Sequence, residues 1–498
     1  MTHPAGDVDR LVDVAPAVRD AFDRHGFDAV GVLTVLGDDV HAALGRGEPV
    51  PVRRACRDAG ELGVLIRMML VHDTVGRSEA SAALGITDLD HAVSVGLLEN
   101  HDDGVRAAVD VRPLDAGHGT RWMVSDLDGS MRPVDIAEDH VLGVGHASLS
   151  LLRAHIPARG RTLDVGTGCG VQAVHALDSA EHVTATDITA RSLALTRATM
   201  ALNRIGPDRY DLREGPWFSP VDGERFDSVV ANPPFVVGPP TVTHSYRDSG
   251  LDLDGASEIM VRGAPDHLAE GGTACMLASW VITGGDWRDR VASWIPDHGV
   301  DAWVVQRDVA DPALYVGTWL RDAGYDPRTG AGAAMADRWL DHLDAAGVAG
   351  IGFGFVFVRS TGEPTDLLCE ELSHALDDPL GDEADAYLRR AAWLRETDLM
   401  SSRLAAADDV ALHRVWTPGD PDDSWSEVAT RLVRTSGPRW SHDVDDRVVS
   451  LVAGLRHDGL AVADVVDILG AAHGEEIDTG AVTAVIADLV RHGLLIPG

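Results

Sequence analysis

The sequence predicts an α/β protein. A mostly parallel sheet occupies residues 141–360, flanked by two smaller, mainly helical, winged-helix-like domains at 1–140 and 361–498. Three observations carry this. Between 141 and 360, short apolar runs alternate with helical patterns, as strands joined by crossover helices do. Before that segment the order is helix, helix, helix and then two strand-like pieces. After it the chain patterns as mostly helical, and Thr479–Pro497 again reads as a last helix and a wing.

The N-terminal region begins with helical patterning over Val8–Val14, then a helix from Leu62 to His72 and a short one at Ser78–Leu84. Thr87-Asp-Leu-Asp has N-cap chemistry and opens a third helix, which ends at Gly96-Leu97-Leu98. Strand-like pieces follow at Val105–Val111 and Thr120–Val124, with Asp102-Asp103-Gly104 as a turn. In the central region the strands fall at Arg161–Asp164, His182–Thr186, Asp227–Ala231, Gly272–Ala278, Ala302–Gln306 and Gly350–Arg359. Trp339–Ala346 patterns as a helix before the last of them.

Charge narrows the function classes. The formal net charge is -37, the 42 basic residues are all arginine, and there is no lysine. The three regions carry -12, -9 and -16 in chain order. This excludes a chain-wide basic binder of nucleic acid and a polybasic membrane-surface protein. The two end regions are therefore expected to be packing or protein-contact modules rather than duplex readers. Arg53, Arg54 and Arg57 form the one dense basic group, which a solvated helix face explains equally well.

Cys56, Cys169, Cys275 and Cys369 lie far apart with no CxxC spacing, which argues against a structural zinc or a disulfide framework and fits a reducing cytosol. The start of the chain lacks a basic segment followed by an apolar run, and the longest apolar stretch, Val348–Val358, is too short to span a bilayer. A cytoplasmic protein with no membrane partner is expected. No HExxH occurs among the 22 histidines. Asp420–Glu427 and Asp252–Gly255 lack the order of ligands and glycine of a calcium loop, so they read as solvated loops and no metal is expected.

The first site signal is Thr162-Leu-Asp-Val-Gly-Thr-Gly-Cys-Gly170, an apolar strand that runs into glycines and then a helix, Val171–Leu177. Glycines permit the tight turn and the close approach of a ligand, and the helix start offers unpaired N–H groups. Position 171 is Val, so the dinucleotide fingerprint GxGxxG is not met, and a lysine-free chain has no Walker A loop. The second signal is Asp187, at the end of His182–Thr186 and 17 residues past Gly170. An acid there is placed to accept hydrogen bonds from two ribose hydroxyls. Capping of the next helix by Asp187 or Thr189 is the plain structural alternative. The third signal is Asn232-Pro233-Pro234-Phe235, which closes the apolar strand Phe226–Ala231. Two prolines suffice to end a strand; the Asn before them and the aromatic after them need another reason.

Together these segments resemble the class I S-adenosylmethionine-dependent methyltransferases that modify a planar nitrogen. The branches they are most similar to are the release-factor glutamine methyltransferases and the small-domain ribosomal RNA base methyltransferases. The resemblance covers about residues 140–360 and rests on Asp164–Gly170, Asp187 and Asn232–Phe235. Asn232–Pro240 looks like the glutamine enzymes, and Met260–Gly272 looks like the RNA branch. It implies a Rossmann-like, seven-stranded sheet and S-adenosyl-L-methionine as cofactor. It also implies cofactor contacts from Asp164, Gly166, Thr167, Gly168, Gly170, Asp187, Ile188, Trp217 and Asn232, and a catalytic Asn232-Pro233-Pro234-Phe235 segment.

The implied chemistry suits these residues. An amide or exocyclic amine is nearly non-basic, so acceptors that hold its NH2 matter more than a general base. The Asn232 side-chain carbonyl and the Pro233 backbone carbonyl are such acceptors, and Phe235 can stack on the flat group. Two departures stand out. Phe235 replaces a common Tyr, and Pro216 stands where many relatives carry an acid near the adenine. The Gly215 or Trp217 N–H, or stacking by Trp217, can substitute. Gly145–Ser148 is placed to close over the cofactor, and Thr243–Asp248 to face the acceptor or form an ordinary loop. The expected partner is a macromolecule. A release-factor-like protein glutamine is preferred to an adenine or guanine amino group of ribosomal RNA, and a non-catalytic cofactor-binding regulator comes third.

Overall fold

The computed structural model describes residues 7–134, 136–241, 248–377, 379–418, 424–474 and 476–498. Thr243–Arg247 and Asp420–Asp423, both considered above, lie outside the described residues. By its contacts the chain divides into two compact units. The first holds Met1–Leu152, Pro157–Pro296 and Asp308–Val356; the second holds Arg153–Ile156, Asp297–Arg307 and Phe357–Gly498.

The first unit is built on a sheet whose strands are β1 (Arg161–Val165), β2 (His182–Asp187), β3 (Tyr210–Glu214), β4 (Phe226–Ala231) and β5 (Leu268–Ile282). With Gly350–Pro364 on its far side, the spatial order is Gly350–Pro364, β5, β4, β1, β2, β3. β1 runs parallel to β2 on one side, with Arg161 opposite His182, and parallel to β4 on the other, with Thr162 opposite Ser228. The chain moves outward from β1 to β3 and then returns to the opposite side of β1. That reversal opens a crevice at the carboxyl ends of β1 and β4. β3 escaped the sequence reading because its residues are only partly buried and its sequence, Tyr-Asp-Leu-Arg-Glu, is polar. The large sheet has eight strands rather than the expected seven; β1–β5 lie wholly in this unit, and Gly350–Pro364 belongs to it only as far as Val356.

Helix Ala190–Leu202 covers one face, capped by Thr189, whose hydroxyl accepts from the Ser192 N–H. Nine of its residues are buried, too many for a helix with one solvated face. The reason is the N-terminal region, which packs on it within the same unit. Arg19 donates to the Leu202 carbonyl at 3.3 Å, and the Trp122 N–H and carbonyl bond the Asn203 amide at 3.0 and 2.7 Å. Buried Asp126 pairs with Arg191, Nε to Oδ2 at 2.9 Å.

The expected strand Val105–Val111 is two strands. Gly104–Ala107 pairs antiparallel with Leu98–His101 and Val75–Gly76, whereas Asp110–Asp115 pairs with Thr120–Ser125. Ala108 and Val109 between them are buried, so the apolar run is unbroken and hides the bend.

In the second unit, His298–Ala310 pairs in parallel with Asp366–Glu371, Asp301 opposite Asp366. Trp303 is stacked on Tyr387 at 4.8 Å and on Phe357 at 5.4 Å, which centres the core. The helices are Leu380–Glu396, Asp446–Gly454, Val462–His473 and Thr479–Arg491, and Leu495–Pro497 pairs with Leu404–Ala406. The mainly helical expectation needs correction. Val410–Thr417, Ser426–Arg434 and Ser441–Asp443 form a three-stranded antiparallel sheet. Most of Val410–Thr417 is exposed, with apolar and polar residues on both faces, so no one-sided alternation marks it as a strand. Among the described residues, no helix is long and apolar enough to cross a membrane.

Candidate active site

A cavity of about 420 Å³ lies at the carboxyl ends of β1, β2 and β4. This is the crevice that the strand order opens. Its volume is in the usual range for small-molecule sites, about 300–1,000 Å³.

One side is backbone. After Val165 the chain turns through Gly166 and Gly168, whose φ values are 73° and 57°. The Gly166 and Thr167 N–H groups both donate to the Thr186 carbonyl at 2.9 Å, which ties the turn to β2. The Gly168 N–H donates to Asp187 Oδ2 at 3.0 Å, and the Thr189 N–H donates to Oδ1 at 3.0 Å. The Asp187 carboxylate therefore fixes the turn, and it lies on the cavity wall. Ile188, 60% exposed, lies beside it on the cavity wall. The Gly215 N–H donates to the Asp187 carbonyl at 2.9 Å, which brings Gly215, Pro216 and Trp217 to the same wall.

Two of the expected cofactor residues do not line the cavity. Asp164 lies beneath the turn, where Thr167 Oγ1 donates to its Oδ2 at 2.7 Å; Val165, next along the strand, takes the wall position. Burial raises the Asp164 carboxyl to about 7. Gly170 also lies behind the wall. Its φ is 83°, and a Cβ there would sit 2.9 Å from Thr196 Cγ2, so it lets helix Val171–Ala176 close on helix Ala190–Leu202.

The other side is made of side chains. Asn232, Pro233, Pro234 and Phe235 follow β4 onto the wall. Asn232 Nδ2 donates to Ser148 Oγ at 3.4 Å. Ser148 belongs to helix His146–Ala154, so the Gly145–Ser148 segment does reach the site. Gln172 Nε2 donates to the Ser148 carbonyl at 3.0 Å. Phe235 meets Trp319 edge-on, centroids 6.4 Å apart at 82°. Gln172, Trp319 and Asp322 also line the cavity and were missed from the sequence. They carry no motif, and Trp319 and Asp322 are more than eighty residues from Asn232.

The wall fits S-adenosylmethionine. Gly166 and Gly168 present backbone with nothing within 4 Å of where a Cβ would stand. The buried Gln172 Oε1 and Thr186 Oγ1 have no hydrogen-bond partner, so the wall holds acceptor capacity that the protein does not use. Among the described residues, no group of three or more His, Cys, Asp or Glu is placed to hold a metal.

Comparison with known proteins agrees with this geometry. Residues 144–282 match a family described as "Methyltransferase small domain". Residues 24–108 and 385–497 match two families described as domains of unknown function, DUF7059 and DUF7782. The chain is similar to "Ribosomal RNA small subunit methyltransferase C" of Erwinia tasmaniensis, 33% identical over 133 residues, which is 26% of this chain and 34% of that protein. It is also similar to "Release factor glutamine methyltransferase" of Xylella fastidiosa, 32% identical over 170 residues, 32% of this chain and 60% of that one. The chain thus spans between a third and three fifths of the length of these relatives.

Proposed function

We propose, from the premise that residues 144–282 are a class I S-adenosylmethionine-dependent methyltransferase domain, that the chain methylates a planar amide or exocyclic amino nitrogen of a macromolecule, by preference a protein glutamine. One observation carries the reaction class. The glycine turn and the Asn232–Phe235 segment face each other across a single cavity.

S-adenosylmethionine supplies a methyl group activated on a sulfonium. Gly166, Thr167, Gly168, Asp187, Ile188 and Trp217 are the residues that would hold it, with Asp164 and Gly170 shaping the turn from behind. Ile188 and Trp217 offer apolar surface to a flat ring. Asn232 works on the acceptor. Its amide nitrogen is engaged with Ser148, so Oδ1 is the atom that accepts from the acceptor NH2. The Pro233 carbonyl takes the second N–H, and Phe235 stacks on the flat group. Such acceptors turn the nitrogen lone pair out of conjugation toward the methyl, so positioning and electrostatics carry the rate.

The preference for protein rests on charge. The acidic side chains and histidines on the described wall are His140, His146, Asp187, Asp248 and Asp322, and no arginine lines it. A nucleic acid brings phosphates, which arginine or lysine normally meets. The second reading, a ribosomal RNA base, is favoured by the relative from Erwinia tasmaniensis and by the end regions. In the N-terminal one, helix Gly60–Met69, a short strand, two helices and a hairpin follow in winged-helix-like order. The test is labelling of cell extract from a strain lacking this gene with tritiated S-adenosylmethionine. Label lost to protease and kept after nuclease supports the protein reading; the reverse supports RNA.

A further inference from the structure

We infer that the helical pair Pro312–Asp322 and Gly330–Ala345 forms the acceptor wall of the site, with Trp319 selecting the flat group that enters beside Asn232 and Tyr315 holding the loop that carries Asn232. The inference rests on the methyltransferase reading above and concerns residues beyond the family match, which ends at 282.

Three observations converge. The first is placement: Trp319 and Asp322 line the same cavity as Asn232 and Phe235. The second is attachment. The Val237 N–H donates to the Tyr315 hydroxyl at 2.6 Å, and Tyr315 is buried. One residue on, Gly238 packs on Trp339 so closely that a Cβ would sit 3.2 Å from its ring. The Gly238 carbonyl also accepts from the Leu253 N–H at 3.0 Å. Both helices of the pair therefore grip the segment that follows Phe235. A buried Val237 N–H without the hydroxyl would stay unsatisfied, so the hydroxyl ties the loop to the helix.

The third is shape. Phe235 and Trp319 stand at 82°, which makes a corner of two aromatic walls. A planar group lies with its face on one ring and its edge against the other, the two arrangements that aromatic quadrupoles favour. The corner is backed by a run of rings: Trp319 meets Tyr315 at 6.1 Å, and Tyr315 stacks on Phe353 at 5.7 Å. A long aliphatic amine finds no such complement there. The corner thus selects flat acceptors, a carboxamide or a base amino group, before Asn232 orients the nitrogen.

The experiment uses the full chain and four variants: Trp319→Leu, Trp319→Phe, Tyr315→Phe and Thr318→Ala, the last an exposed position on the same helix outside the wall. Tritiated S-adenosylmethionine is the donor, and dilutions of extract from a strain lacking the gene are the acceptor probe. Cofactor affinity is read separately by calorimetry. Trp319→Leu stays apolar and loses the ring. The extract concentration for half-maximal rate should rise about tenfold or more, with cofactor affinity within about twofold of wild type. Trp319→Phe should stay within about threefold. Tyr315→Phe should lower the plateau rate about tenfold with cofactor affinity unchanged, by freeing the loop. Thr318→Ala should match wild type. If Trp319→Leu and Trp319→Phe behave alike, or if Tyr315→Phe leaves the plateau intact, the inference is overturned while methyl transfer stands. A wild type that binds no S-adenosylmethionine overturns both readings.

Discussion

On one side of the cavity Gly166, Thr167 and Gly168 are held by bonds to the Thr186 carbonyl and the Asp187 carboxylate, all within 21 residues of one another. On the other side Asn232 leans on Ser148, and Phe235 on Trp319, partners 84 residues before and 84 residues after them. The first half is local backbone, so its sequence is its geometry. The second half is side chains collected from three distant segments, and its geometry exists only after the chain has folded. The difference separates the work as well. On the proposed reading, local backbone holds a cofactor shared with the relatives, and assembled side chains meet the acceptor, which differs between them.

Asn232→Ala is the strongest test of that separation. It should lower kcat by about a hundredfold or more, as removal of one preorganised partner does. Calorimetry should find cofactor affinity within about threefold of wild type. A large loss of affinity would show that the two halves are not separable.

Asp164 sharpens the cofactor half. Its carboxyl is raised by burial to about 7 from 3.8. The folded state therefore keeps a proton that the unfolded chain gives up near pH 4. Stability from this group is present below pH 4 and is lost as pH rises toward 7. The loss of stability runs over that whole range of pH. Asp164→Asn removes it. The Tm of the ligand-free variant should pull ahead of wild type from pH 4 to 8, whereas a constant offset would contradict the buried-acid account.

Gly170→Ala tests the support behind the wall. A left-handed residue with a Cβ costs about 1–2 kcal/mol, and the clash with Thr196 Cγ2 adds to it. Denaturant unfolding should register the sum. Thr196→Ser removes Cγ2 and keeps the hydroxyl that donates to the Gly168 carbonyl at 2.9 Å, so the double variant should recover only the clash. Equal stability of single and double variants would mean the helices simply move apart.

The same contrast governs what was legible in the sequence. β1, β2 and β4 read correctly because their interiors are almost wholly buried and their buried runs end next to Gly166, Asp187 and Asn232. β3 and Val410–Thr417 did not, because half-exposed strands carry mixed residues. Within the site, Gly166, Thr167, Gly168, Asp187, Ile188, Trp217 and Asn232–Phe235 all reach the wall, since each sits at a strand end or in the turn after one. Asp164 and Gly170 belong to the same motif, yet the pattern could not tell lining from supporting. Trp319 was invisible for another reason: a tryptophan on an amphipathic helix looks like core until the helix is docked.

Ser148 is where the two halves meet, and it gives the smallest and most discriminating effect. Its carbonyl accepts from Gln172 on the cofactor side, and its hydroxyl accepts from Asn232 on the acceptor side. The carbonyl survives any substitution, so Ser148→Ala cuts only the second link. One neutral hydrogen bond contributes about 0.5–1.5 kcal/mol, so kcat should fall about three- to tenfold. Cofactor affinity should hold, and Ser148→Thr should restore the rate. Gln172→Leu cuts the other link and should weaken cofactor binding while turnover at saturating cofactor changes little. If both variants alter affinity and turnover together, helix His146–Ala154 couples the halves. Cofactor binding would then help to set the Asn232 amide for the acceptor.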